Sequence, residues 1–201
     1  MKEFQDYITK LSYALSSTDA RTAIGAADVS WARKGDGTII EYPMHRVIGS
    51  LRGGFDVGAR AFVIGNGGSA AIASHVANDM NTAGIRAMAL NDASALTCLS
   101  NDFGYEHVFS KQLEWHGKRG DTLIAISSSG ESINIIMAVE AAIKTGMFVV
   151  TLSGFAPDND LRSRGDLNFY VPSSSYGFVE MAHHVILHAI TDELREAPWK
   201  T

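Results

Sequence analysis

The chain has little with which to cross-link itself, thread a membrane or grip a polyanion. Its single cysteine, Cys98, cannot close an internal disulfide, so the sequence suits a reducing, cytoplasmic setting. Cys98 itself reads as a small core residue rather than a nucleophile. Lysine and arginine (17) fall short of aspartate and glutamate (22), leaving a formal net charge of −5 and no basic run. That removes the electrostatic footprint of nucleic-acid or anionic-membrane binding. No apolar stretch reaches the roughly 18–20 residues of a membrane span, and the opening Met1-Lys2-Glu3-Phe4-Gln5-Asp6 is too charged to read as a signal peptide. Repeats, low-complexity tracts and linkers are lacking too. What is there is ordinary globular composition, 46% hydrophobic and 19% charged over 201 residues, enough for one core domain with added helices.

The stretch around which the chain is organised runs from Phe62 to Ser69 and on to Asp79. A short apolar run ends in Gly65-Asn66-Gly67-Gly68-Ser69 and passes into helix-forming sequence, a strand, loop and helix start. Glycines let the backbone turn sharply, and a new helix offers free N–H groups and the positive end of its dipole to an anion. The spacing is neither GxGxxG nor a P-loop with its lysine, so a nucleotide is not implied. The loop is either plain turn chemistry or a phosphate cradle. Residues 121–132 repeat the design: a buried strand, then Ser127, Ser128, Ser129, Gly130, Glu131 and Ser132, then a helix. Four hydroxyls in that loop exceed what a helix cap needs, which favours a monophosphate held without a cationic side chain. Glu131 stands out, because a carboxylate beside a phosphate must point away.

Elsewhere, residues 4–17 predict a helix with an apolar face of Phe4, Tyr7, Ile8, Leu11 and Leu15, packed either on its own domain or on another subunit. A second helix is expected over 20–32, a turn cluster at 34–38, and 42–55 is ambiguous between Pro43 and Gly53-Gly54. From residue 60 onward, apolar strands (61–64, 86–90, 122–126, 148–152, 167–171) alternate with helices (70–82, 93–100, 105–115, 132–145, 179–193) and a turn at 161–164. This pattern predicts an α/β fold with a parallel sheet covered on both faces and ligands at the strand-to-helix edge.

His75 and Asp79 are spaced i, i+4, and Glu180, His184 and His188 advance in steps of four with His183 alongside. The spacing suits metal ligands or a general acid and base that move a proton between carbons. His45, His107 and His116 have no such company.

The ordered set Gly65-Asn66-Gly67-Gly68-Ser69, His75, Asn101-Asp102-Phe103-Gly104, Ser127 to Ser132, His183 and His188 resembles the sugar isomerase (SIS) domain, and within it the phosphoheptose isomerase family, over roughly residues 60–193. The resemblance implies a three-layer α/β/α SIS domain (59–201) with a five-stranded parallel sheet, an added N-terminal helical extension (1–58), and a homotetramer with interface active sites. It implies that Ser69, Ser127, Ser129 and Ser132 bind a sugar phosphate and that Asn66 and Asp102 line the sugar site. The same motifs place Gly67, Asn101, Ser128 and Glu180 among the substrate-binding residues. Asp79 and His188 fall on the family's proton-transfer positions, and His75, Asp79, Glu180 and His188 on a zinc-binding set. Two positions depart from the family: Asp79 replaces a glutamate and Glu180 a glutamine, and the two carboxylates make a metal more apt. The implied reaction is aldose–ketose isomerisation of sedoheptulose 7-phosphate to a D-glycero-D-manno-heptose 7-phosphate-type aldose through an enediol. The rival from another class is a non-catalytic SIS-fold protein that binds a sugar phosphate or a protein partner, as a DnaA-binding relative does.

Overall fold

A computed structural model describes residues 2–21, 31–33, 39–55 and 57–196. Helix α1 (Lys2–Ser16) leads to strand β1 (Asp19–Arg21); β2 (Trp31–Arg33) and β3 (Ile39–Glu41) form a small antiparallel pair ahead of α2 (Tyr42–Phe55). The core then runs β4 (Ala61–Gly65), α3 (Gly68–Thr82), β5 (Ala87–Ala89), α4 (Ala93–Phe103), α5 (Ser110–His116), β6 (Thr122–Ile126), α6 (Ile133–Thr145), β7 (Phe148–Gly154), β8 (Leu167–Val171) and α7 (Tyr176–Glu196).

The main sheet has the order β1-β8-β7-β6-β4-β5. The expected five parallel strands are present, and β1 adds a sixth at the edge, antiparallel to β8 with Asp19 opposite Tyr170. Alternation along the strands divides the core between two faces. Val63, Ile124, Val150 and Phe169 pack with α2, α3 and α7 on one side, whereas Phe62, Leu123, Ala125 and Val149 pack with α4, α5 and α6 on the other. The architecture is the expected three-layer α/β/α.

Several expectations need correction. The helix predicted over 20–32 gives way, at its described ends, to strands β1 and β2, while 22–30 and the turn cluster at 34–38 lie outside the described residues. The ambiguous stretch at 42–55 is helix α2, which sends Val47, Ile48 and Leu51 into the core. The helix predicted at 105–115 begins only at Ser110, after a 3-10 turn over Tyr105–His107. Cys98 is not a core residue: it lies exposed, with its thiol 3.5 Å from Asp102 Oδ2.

At the far edge, β5 is only Ala87–Ala89. One amide, Asn81, takes both backbone groups of Ala87, accepting from its N–H (3.1 Å) and donating to its carbonyl (2.8 Å) as a neighbouring strand would. Among the described residues no helix is long and apolar enough to cross a membrane.

Candidate active site

The chain reverses direction across the sheet between β4 and β6, which lie side by side with Gly65 opposite Ile126. From this switch point α3 leaves on one face and α6 on the other, the position where open α/β sheets bind ligands. The Gly65–Ser69 and Ser127–Ser132 loops therefore meet. A cavity of about 250 Å³ opens between them, lined by Asn66, Gly67, Gly68, Ser69, Ile126, all of Ser127, Ser128, Ser129 and Ser132, and by Tyr176 and Glu180 of α7.

The two helices that follow these loops, α3 and α6, start without a side-chain cap. Gly67 precedes α3 at φ +54° with no side chain to offer, and the Ser132 hydroxyl makes no capping bond at α6. By contrast Asp92, at the start of α4, accepts from Ala95 N–H at 3.1 Å. The unfilled N–H groups and positive dipole ends of α3 and α6 converge on the cavity. Gly65 permits the turn: a Cβ there would lie 2.6 Å from the Ser69 backbone.

The serine loop is ordered by its own bonds. Ser127 Oγ donates to Ser132 Oγ and accepts from Gly130 N–H, each at 3.2 Å, and Ser129 Oγ accepts from Glu131 N–H at 3.2 Å. The Ser128 hydroxyl is buried with no partner. Glu131 does point away, its carboxylate accepting from Asp160 N–H at 3.0 Å. Asn66 is held in a reciprocal amide pair with buried Asn134, both bonds 2.9 Å, and also accepts from Tyr105 Oη at 3.1 Å.

Further along α3, Asp79 is buried and its two oxygens are divided. Oδ2 lies 3.3 Å from His75 Nε2 and 3.5 Å from His188 Nδ1, while Oδ1 meets Arg195 Nη2 at 3.2 Å. Arg195 is itself fixed by Asp192 and Thr82, each at 3.0 Å. His184 joins the group, stacked on His188 at 4.5 Å between ring centroids, with His75 edge-on to both at 5.1 Å. Burial, then the neighbouring His188 and His75, lower the His184 pKa, against a smaller upward pull from Asp79. His183, one residue back, is a different case: wholly buried, with Nε2–H on the Ser153 carbonyl at 3.1 Å, it is pushed down to about 4 by loss of solvation.

All of the predicted residues but Asn101 and Asp102 thus fall into two groups. Asn66, Gly67, Ser69, the four loop serines and Glu180 line one cavity, and His75, Asp79 and His188 converge beside it on α3 and α7. Asn101 and Asp102 sit exposed near the end of α4, bonded to each other at 2.8 Å. Their neighbour Tyr105 is the residue that reaches the site. The Asp102 hydrogen bond raises the Cys98 pKa, which leaves the thiol unsuited to act as a nucleophile. Sequence reasoning passed over Asn134, Tyr105 and Arg195; Arg195 carried no signal, since only folding brings it to Asp79. His184 had one, its step of four before His188.

The donor set fits a zinc-class cation. Ligands about 2.0–2.1 Å from a tetrahedral ion lie roughly 3.3–3.4 Å apart, close to the 3.3 and 3.5 Å from Asp79 Oδ2 to the two imidazoles.

Comparison with known proteins agrees with this geometry. The SIS domain model matches residues 47–154. A phosphoheptose isomerase of Photorhabdus laumondii is 40% identical over 158 residues, covering 73% of this chain and 81% of the relative. The structure of a phosphoheptose isomerase from Neisseria gonorrhoeae superposes with a TM-score of 0.73 at 34% identity, over 77% of this chain and 86% of that one. One from Francisella tularensis shares the fold over 98% of both chains, at 24% identity and a TM-score of 0.79. The chain therefore belongs to the SIS domain family, alongside relatives named phosphoheptose isomerase.

Proposed function

We propose that this chain is a cytoplasmic aldose–ketose isomerase that converts sedoheptulose 7-phosphate to the corresponding aldoheptose 7-phosphate. The observation that carries the reading is a hydroxyl-lined cavity between two uncapped helix starts, with a carboxylate–imidazole cluster further down the same helix. From Ser69 to His75, α3 advances about 9 Å at 1.5 Å per residue. An extended heptose 7-phosphate covers a similar distance from phosphorus to C2, about 9 Å for seven bonds advancing roughly 1.25 Å each. A phosphate seated on Ser69, Ser127, Ser129 and Ser132 would thus bring the reacting carbons to the level of His75, whose Nε2 lies 3.3 Å from Asp79 Oδ2. Binding energy from the remote phosphate then orients C1 and C2 beside the cluster that Asp79 and His188 share.

In that pose one of the pair removes the C2 proton of the aldose, or the C1 proton of the ketose, and the resulting enediol takes a proton back at the neighbouring carbon. The Arg195 contact on Oδ1 leaves Asp79 Oδ2 turned toward His75 and His188. Asn66, braced by Asn134 and Tyr105, is positioned to meet a sugar hydroxyl, with Asn101 and Asp102 on the outer side. His75, Asp79 and His188 would hold a zinc ion, which when bound polarises the substrate carbonyl and stabilises enediolate charge.

We further place the enzyme in a homotetramer with sites at subunit interfaces, the segment 1–58 packing on the 59–201 domain or on a neighbour. The exposed Phe4, Tyr7, Ile8 and Tyr13 of α1 and Met181 and Val185 of α7 support that assembly.

The test is turnover of sedoheptulose 7-phosphate by the purified chain, with and without added zinc, read by coupled assay or mass spectrometry. Aldoheptose 7-phosphate should form, and Asp79→Ala and His188→Ala should each lower kcat by about 10²–10⁴-fold, the usual worth of an acid–base group. Full activity in either variant would remove that residue from the chemistry. Silence of the native chain, with phosphosugar binding retained, would favour the non-catalytic reading.

A further inference from the structure

We propose that the metal centre of this chain is a three-histidine site, His75, His184 and His188 closed by Asp79, and that Glu180 belongs to the substrate cavity instead of the metal. The proposal rests on the isomerase reading for the identity of the ion, a zinc-class divalent cation, and not for its ligands.

Four observations carry it. One ring nitrogen from each of His75, His184 and His188 lies within 4.8 Å of the others. Contraction to the roughly 3.3–3.4 Å spacing of tetrahedral ligands needs side-chain adjustment only, because all three rings already touch. Second, His184 Nε2 is buried without a hydrogen-bond partner. A ring nitrogen in that position either remains an orphan, which is costly, or is satisfied by an added group, and imidazole nitrogen is a preferred donor for zinc, cobalt and nickel.

Third, Glu180 is engaged elsewhere. Its carboxylate lies against the start of α3, so close that a Cβ on Gly68 would fall 2.5 Å from one of its oxygens, and it lines the cavity with the serines. A carboxylate there is favoured by the α3 dipole. The glycine at 68 is what lets it lie so near. Fourth, the charges differ in a way that matters for the chemistry. A divalent ion with two carboxylates and two neutral imidazoles is formally neutral. With three neutral imidazoles and Asp79 alone it keeps one positive charge, facing the place where enediolate charge develops.

Metal binding tests this without any assay of activity. The native chain and the His184→Ala and Glu180→Ala variants are stripped with a chelator, and thermal unfolding of the stripped forms verifies that each is folded. Each is then titrated with zinc against a competing chromophoric chelator, and with cobalt(II), whose visible absorption reports the ligand set. The native chain should take about one ion per chain. Removal of a direct ligand should exceed the 10–100-fold cost typical of a supporting residue, so His184→Ala should weaken zinc by about a hundredfold or more and alter the cobalt spectrum. Glu180→Ala, which leaves no donor atom at that position, should bind zinc within about threefold of native, with the same spectrum. His184→Leu, which fills much of the space but offers no donor atom, should match His184→Ala if the loss is of a ligand. The reverse pattern, with Glu180→Ala losing the ion and both His184 variants keeping it, overturns the proposal. So does a native chain that takes no ion; turnover in chelator would then show the isomerase reading standing without it.

Discussion

Two adjacent residues, His183 and His184, show how one helix gives the same side chain opposite uses. His184 faces its fellow imidazoles, whereas His183 faces the sheet and donates to Ser153 from full burial. Held neutral down to about 4 while an exposed histidine titrates near 6.5, His183 must cost stability in acid. Between those two values the unfolded chain binds the extra proton, so the stabilisation is intact above pH 6.5 and is lost as pH falls toward 4. The full gap is worth about 3 kcal/mol. Urea unfolding of the native chain and of His183→Gln, which keeps a donor for Ser153, should therefore differ in slope across that window, the variant losing less as pH falls. Parallel curves would mean that His183 already charges in the folded state. The periodicity at 180, 184 and 188 marked the helix as chemically loaded, but it did not say which histidine turns inward. That depends on the α7 register against β7, which local pattern does not carry. Asp79 illustrates the same limit: its spacing from His75 was legible, whereas its partner Arg195 becomes a neighbour only when α3 and α7 pack.

Among the elements, the core strands were the easiest to read. Ala61–Gly65 and Thr122–Ile126 are buried at every position, and a continuous apolar run bounded by glycine or serine is the mark of such a strand. Strand β1 left no such trace. Asp19-Ala20-Arg21 has neither length nor alternation, and it forms because the outer side of β8 is open to pairing and Arg162 meets Asp19 at 2.9 Å. Tertiary context overrode a helical pattern there. The element that matters most for the site is the crossing of β4 into α3. Its tightness is set at Gly65, where an added methyl would meet the Ser69 backbone, not a side chain that can swing aside. Gly65→Ala should therefore cost about 1–3 kcal/mol, as overpacking does, and raise KM for the phosphosugar by displacing Ser69, both visible in denaturant unfolding and steady-state kinetics. Unchanged stability and KM would show that the loop relaxes freely.

At the scale of the whole molecule, the doubly covered sheet followed from the alternation of strands and helices, and the site's location followed from the sheet: the chain leaves the neighbouring strands β4 and β6 for opposite faces, and the two loops meet there. The order of strands was not legible in composition or periodicity, because it depends on which strands find each other across intervening helices. The Asn81 amide at β5 bears on how such molecules meet one another. A free sheet edge is an invitation to end-to-end growth, since any extended chain can dock on its unsatisfied backbone groups and pass the opening on to the next copy. At Ala87 both groups are already taken by one side chain, so a newcomer must displace two hydrogen bonds before gaining its own. Asn81→Ala should leave the fold intact and shorten the time to visible light scattering on concentration or mild warming; an unaltered onset would mean that the brevity of β5 is protection enough. Strand addition, a mode of growth with no natural end, is thereby disfavoured at this edge.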